Sequence, residues 1–162
     1  MLDNDTLAAA AALLDACRAR GIMLATAESC TGGLIAAALT AIAGSSDVLD
    51  RGFVVYSNEA KQELLSVPPE LIATHGAVSE PVARAMAEGA LAHSRAQRAI
   101  SVTGVAGPGG GSAAKPVGLV WFGLASRNRP TETRRQVFPG DRTAIRAASV
   151  STAFAMIATS LG

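Results

Sequence analysis

The apolar positions of this chain change period repeatedly, and each change predicts an element. From Asp3-Asn4-Asp5 to about Arg20, the residues Ala10, Leu13, Leu14 and Cys17 recur at helical spacing behind an acidic cap, and Gly21 ends the run. Ile22-Met23-Leu24-Ala25-Thr26 is a continuous apolar run of the kind a fully buried strand shows. Leu34-Ile35-Ala36-Ala37-Ala38-Leu39 then reads as helix by composition, and Gly44-Ser45-Ser46 closes it. A second strand is predicted at 52–56, followed by a short helix at 59–65 capped by Ser57-Asn58 and stopped by Pro68-Pro69, and a minor helix at 70–74. Ser79-Glu80-Pro81 starts a helix whose Val82, Ala85, Met86, Gly89, Ala90 and His93 share one face. A buried strand at 99–102 opens into a loop at 103–116. A longer buried strand follows at 119–125, then an alternating, polar edge strand at 132–138. Gly140-Asp141 caps a final helix at 142–161 that is apolar on more than one face, so it is either sandwiched or covers a subunit interface.

Strands and helices alternate first, and two adjacent strands then suggest a hairpin. The pattern predicts a three-layer α/β/α sandwich with a mixed, mostly parallel sheet, forming one domain over residues 1–162. Ligands in such sheets sit beyond the carboxyl ends of the strands, which here carry Ser29, Tyr56 and Thr103.

Composition narrows the class. The chain is 49% hydrophobic but only 4% aromatic, so its core is aliphatic. A net charge of +1 gives no reason to expect nucleic acid or an anionic membrane as partner. No apolar run reaches the roughly 18 residues of a membrane span, and the acidic N-terminus is unlike a signal peptide. Cys17 and Cys30 lack metal-ligand spacing and read as buried thiols of a reducing cytoplasm. Of 14 basic residues only Lys61 and Lys115 are lysines. Lysine loses its proton when desolvated and arginine does not, which draws attention to both.

Four stretches carry candidate chemistry. Ala27-Glu28-Ser29-Cys30-Thr31-Gly32-Gly33 puts a small hydroxyl on a strand-to-helix turn. That geometry suits a nucleophile beside an oxyanion hole, a cradle for an anion, or an ordinary helix cap by Ser29 or Thr31. Val55-Tyr56-Ser57-Asn58-Glu59-Ala60-Lys61 brings the chain's one tyrosine and a lysine to the next strand end, and a desolvated lysine is one base able to activate a serine. The glycine-rich loop from Thr103-Gly104 through Gly107 to Gly111, closed by Lys115-Pro116, lets backbone N–H groups approach a phosphate or carboxylate; it is neither a P-loop nor a dinucleotide fingerprint, and a flexible linker is the competing reading. Arg142 and Arg146 share one face at a helix N-terminus, where the helix dipole opposes them; anion recognition or plain solvation accounts for them.

Together, in this order, Ala-Glu-Ser-Cys-Thr-Gly-Gly, Val-Tyr-Ser-Asn-x-x-Lys, Thr-Gly-Val-Ala-Gly-Pro-Gly-Gly-Gly and Gly-Asp-Arg resemble the CinA C-terminal-domain family of nicotinamide-nucleotide amidases, over about residues 7–157. The resemblance implies hydrolysis of nicotinamide mononucleotide to nicotinate mononucleotide and ammonia, with Ser29 as nucleophile, Lys61 as base and Tyr56 aiding proton transfer or positioning. Longer members carry an N-terminal pyrophosphatase-like domain, for which this chain is expected to have no room. The expected substrate-binding set is Glu28, Thr31, Gly32, Gly33, Asn58, Thr103, Gly104, Gly107, Lys115, Arg142 and Arg146, with the oxyanion met near Thr31-Gly32 or Thr103-Gly104. No metal or cofactor is expected; the expected partners are a small nucleotide and a second copy of the chain. A non-catalytic nucleotide sensor and a competence- or DNA-damage-associated interaction module are the alternatives.

Overall fold

The structure, a computed structural model, describes residues 2–162. The elements run α1 (Asn4–Ala19), β1 (Leu24–Glu28), α2 (Leu34–Thr40), a 3-10 turn (Ser45–Asp47), β2 (Leu49–Val54), α3 (Asn58–Leu65), α4 (Pro69–His75), α5 (Glu80–Ala92), β3 (Arg98–Gly104), β4 (Leu119–Ser126), β5 (Arg129–Val137) and α6 (Arg142–Ser160). The five strands form one mixed sheet in the order β2-β1-β3-β4-β5. β1 pairs in parallel with both β2 and β3, whereas β4 is antiparallel to β3 and β5. The predicted hairpin is β4–β5, and Asn128 in its tight turn takes the left-handed conformation at φ 63°.

Strand alternation divides the core in two. Leu24, Ile100, Val102, Phe122 and Leu124 face α1, α2 and α6, while Ala25, Ala27 and Ala99 face the layer of α3, α4 and α5. The second layer lies close: a Cβ on Gly123 would stand 2.5 Å from the Ala83 carbonyl oxygen of α5. Only glycine lets the helix approach β4 so tightly.

Some expected bounds shift, and one open alternative closes. The second strand starts at Leu49 and ends at Val54, so Val55 and Tyr56 lie just beyond it. Its first half is polar because β2 is a partly exposed edge, and period-based reading therefore began too late. The apolar faces of α6 are consumed inside the chain: Ile145, Ser149, Val150, Ala153, Phe154, Met156 and Ile157 are all buried, against α1, α2 and the sheet. The final helix is sandwiched, and its apolar stripes give no reason to expect a second copy there.

Candidate active site

The site forms where the chain reverses direction across the sheet. The connection after β1 runs over one face as α2, and that after β2 runs over the other as α3–α5, which opens a crevice between the two strand ends. The same alternation sorts two neighbouring residues. Glu28 shares the parity of Leu24 and points under α2; its fully buried carboxylate accepts from the N–H groups of Gly33 (3.1 Å), Ile35 (3.0 Å) and Ala36 (2.9 Å). Ser29, whose N–H extends the ladder to the Val102 carbonyl at 2.9 Å, has the opposite parity and faces α3. Gly32 and Gly33, at φ 59° and 97°, complete the turn between them.

The helix start of α2 is thus satisfied by Glu28, and neither Ser29 nor Thr31 caps it. A carboxylate already holds the positive end of that helix, so a ligand anion has no place there. Gly32 donates to the Ser29 carbonyl at 3.0 Å and Gly33 donates to Glu28, so neither glycine offers a free donor. The N–H groups of Cys30 and Thr31 donate to no protein oxygen among the described residues.

The Ser29 hydroxyl meets Lys61 instead. The Lys61 Nζ lies 3.1 Å from Ser29 Oγ and donates to the carbonyls of Val55 (2.9 Å), Tyr56 (3.3 Å) and Ser57 (3.5 Å). Lys61 is only 1% exposed, among the largest of the fully buried side chains, and it has no carboxylate partner among the described residues. It is held there because Ser57 caps α3 by accepting from the Ala60 N–H at 3.0 Å, which aims the first turn of the helix at the crevice. Burial holds its pKa below the ordinary lysine value. A buried amine that gives up its proton more easily than an exposed lysine, within hydrogen-bond reach of a hydroxyl, is equipped to act as a base. Cys30, next in the chain, is no rival nucleophile: burial pushes its thiol up to about 11, leaving almost no thiolate at neutral pH.

A cavity of about 330 Å³ lies above this pair, large enough for a small organic ligand. Of the expected residues it is lined by Ser29, Tyr56, Asn58, Lys61, Thr103, Gly104, Gly107 and Arg142. Thr103 is fixed by donating to the Ala77 carbonyl at 2.9 Å. Tyr56 is 61% exposed, and its hydroxyl accepts from Arg142 at 3.1 Å; only its backbone carbonyl touches Lys61.

Glu28, Thr31, Gly32, Gly33, Lys115 and Arg146 do not line the cavity. Glu28 and Thr31 are buried beneath it, and Gly32 and Gly33 form the turn behind it. The Arg146 guanidinium is held by the carbonyls of Cys30 (3.2 Å) and Thr31 (2.9 Å), bracing the serine turn from outside. The Lys115 ammonium donates to the His75 carbonyl at the end of α4 and tethers the glycine-rich loop. Sequence reading missed Ala77 and Val78, which close one wall. They belong to the link between α4 and α5, and nothing in their type or spacing marks them. Among the described residues no group of three or more His, Cys, Asp or Glu is placed to hold a metal, and no helix is long and apolar enough to cross a membrane.

Comparison with known proteins gives the chain's family. The model of the CinA C-terminal domain matches residues 6–161. The chain is 51% identical over 146 residues to the nicotinamide-nucleotide amidohydrolase PncC of Escherichia coli K12, covering 90% of this chain and 88% of the relative. It is 56% identical over 131 residues to the PncC of Enterobacter agglomerans, covering 81% and 80% of the two chains. The crystal structure of the competence/damage inducible protein CihA from Agrobacterium tumefaciens superimposes with a TM-score of 0.95 at 49% identity, over 99% of this chain and 98% of that one. With a family match across nearly its whole length and the sandwich shared with solved members, the chain belongs to the CinA C-terminal domain family.

Proposed function

We propose that the protein hydrolyses the carboxamide of nicotinamide mononucleotide, giving nicotinate mononucleotide and ammonia, with Ser29 as nucleophile and Lys61 as base. The observation that carries this reading is the buried Lys61 amine 3.1 Å from Ser29 Oγ on the floor of an open cavity. The substrate comes from the similarity to the PncC amidohydrolases. A neutral amine has two N–H bonds and one lone pair. The carbonyls of Val55 and Tyr56 take the two N–H bonds, which leaves the lone pair for the serine proton.

Ser29 Oγ attacks the amide carbon as its proton passes to Lys61 Nζ. The oxyanion has a candidate donor in the N–H group of Cys30, a residue that lines the cavity and whose N–H donates to no protein oxygen among the described residues. Gly104 offers another: hydrogen-bonding direction alternates along β3, and the Val102 carbonyl faces β1, so the Gly104 N–H emerges past the end of that strand. The Lys61 ammonium, now held by three carbonyls, returns the proton to the departing nitrogen and ammonia leaves. Lys61 then takes a proton from water, whose oxygen attacks the ester carbon, and Ser29 regains its hydrogen. A module that only binds nucleotide has no use for a buried lysine without a carboxylate partner, since burying it costs stability. A cytoplasmic setting suits a phosphorylated substrate and two free, buried cysteines.

The test is ammonia release from nicotinamide mononucleotide, matched mole for mole by nicotinate mononucleotide. Ser29→Ala should abolish it with an unchanged circular dichroism spectrum, because a turn residue loses only a hydroxyl. A folded alanine variant with near-normal turnover removes Ser29 from the mechanism.

A further inference from the structure

We propose that Arg146 is a positioning residue for this site, aiming the Cys30 N–H at the oxyanion by pinning the peptide units that follow it; the inference rests on the amidase reading above. Arg146 lies in the second turn of α6, outside the cavity. It forms no ion pair, since the ion pairs among the described residues use Arg18, Arg51, Arg84 and Arg95. Its hydrogen bonds go to two consecutive carbonyls of the serine turn: Nε donates to Cys30 at 3.2 Å and Nη2 to Thr31 at 2.9 Å. A Cβ on Gly32 would stand 3.7 Å from Nη2, so the guanidinium is in contact with the turn itself. The helix does not need this tether, because Ile145, Ser149 and Val150 around it are already buried.

The turn transmits the hold because its peptide bonds are planar and trans, so each N–H runs antiparallel to the carbonyl of its own unit. Arg146 fixes the carbonyl of the Thr31–Gly32 unit, with help from the Leu34 N–H at 3.1 Å. The Gly32 N–H therefore points the other way, where it donates to the Ser29 carbonyl at 3.0 Å. That carbonyl belongs to the Ser29–Cys30 unit, and fixing it turns the Cys30 N–H away from the turn. Cys30 lines the cavity, and its N–H meets no protein oxygen among the described residues. The unit between, Cys30–Thr31, is pinned at its carbonyl by Arg146 alone. Without the guanidinium that unit is free to roll, and Cys30 carries its N–H with it.

The experiment compares wild type, Arg146→Gln and Arg146→Lys in ammonia release from nicotinamide mononucleotide, at temperatures where circular dichroism shows each folded. In Arg146→Gln kcat should fall roughly 10–100-fold, the scale of a misaimed rather than a deleted oxyanion donor, with KM changed less than about threefold. Arg146→Lys keeps a charged donor for one carbonyl and should recover much of kcat. The second readout is calorimetric binding of pyridine-3-boronic acid, with Ser29→Ala as the blank. Ser29 Oγ bonds to boron, its proton passes to Lys61, and a boron-bound oxygen takes the oxyanion's place. Boronate affinity should fall in parallel with kcat. A loss carried mainly by KM, or normal kcat in folded Arg146→Gln, would overturn the proposal. So would a fall in kcat that leaves boronate affinity unchanged, because Arg146 would then only support the fold. Should Arg146→Gln not fold, Arg146→Lys decides alone: a point ammonium does not span both carbonyls, so kcat and boronate affinity should drop together by about 3–10-fold, and unchanged values sink the proposal. If wild type releases no ammonia, the amidase reading fails alone. Boronate binding that needs Ser29 and weakens in Arg146→Gln still supports the positioning role, and boronate binding that is absent or indifferent to Arg146 overturns it.

Discussion

Lys61 is held by opposing influences at the scale of a single side chain. Burial favours the neutral amine, while the carbonyls around it are ready to receive an ammonium. The resting base and its protonated intermediate can therefore share one position, with little movement between steps. The pH dependence follows in sign. Because the folded pKa lies below the ordinary lysine value, Lys61 is protonated and idle at low pH, and kcat/KM should rise with pH through the folded pKa. Stability follows the same direction: between the folded and unfolded values the unfolded chain binds the extra proton, so the cost of burying Lys61 shrinks as pH rises through that window. Arginine keeps charge and approximate length but takes no proton. Lys61→Arg should therefore lose about 10²–10⁴-fold in kcat with a much smaller change in KM, read from both constants across a pH series. Near-normal turnover with poor affinity would instead make Lys61 a ligand anchor. The approach of Lys61 to Ser29 was legible in the sequence, because Ser29 follows one strand, Lys61 lies in the first turn of the helix after the next, and lysine is scarce. The separation of Arg142 from Arg146 was not, since residues at i and i+4 share a face and only the packing of α6 decides which one reaches the cavity.

At the scale of elements, the start of α2 governs the nucleophile. Its N–H groups would otherwise compete for the nearest hydroxyl, as helix starts usually do. Glu28 removes that competition from below. A glutamine there keeps one oxygen and turns an amide against the remaining donors. Glu28→Gln should cost about 1–3 kcal/mol of stability, the penalty for buried donors left unpaired. It should also lower kcat more than KM at temperatures where it is fully folded. A variant that is less stable in chemical denaturation yet normal in kcat would restrict Glu28 to supporting the helix. The role of Glu28 was hidden in the sequence because burial, not residue type, distinguishes a buried cap from a ligand contact. The long helices were easier: α1 and α6 are found within a residue or two of where their caps and apolar spacing put them, while β2, a half-exposed edge, gave its pattern away only at its apolar end.

Considered whole, the molecule uses its last helix as an inner layer. Both apolar stripes of α6 are covered by α1, α2 and the sheet, and Ala155 is among the residues left on its open side. A charge placed there should meet water. Ala155→Glu is expected to leave the mass in solution unchanged by light scattering at micromolar concentration. A drop in mass would make α6 an interface between copies after all. Sequence alone could not separate these cases, because a sandwiched helix and an interface helix carry the same apolar stripes.

The opposite facing of Glu28 and Ser29 makes this chemistry portable. A parallel strand that ends in a glutamate followed by a serine delivers one side chain to each side of the sheet without special backbone. A neighbouring strand whose connection leaves over the serine's side then needs only a capped helix with a lysine in its first turn. Doubly wound sheets in general possess such a reversal point. A protein designer could graft the pair onto an unrelated sandwich by choosing the strand at which the winding turns, and leave the rest of the host untouched.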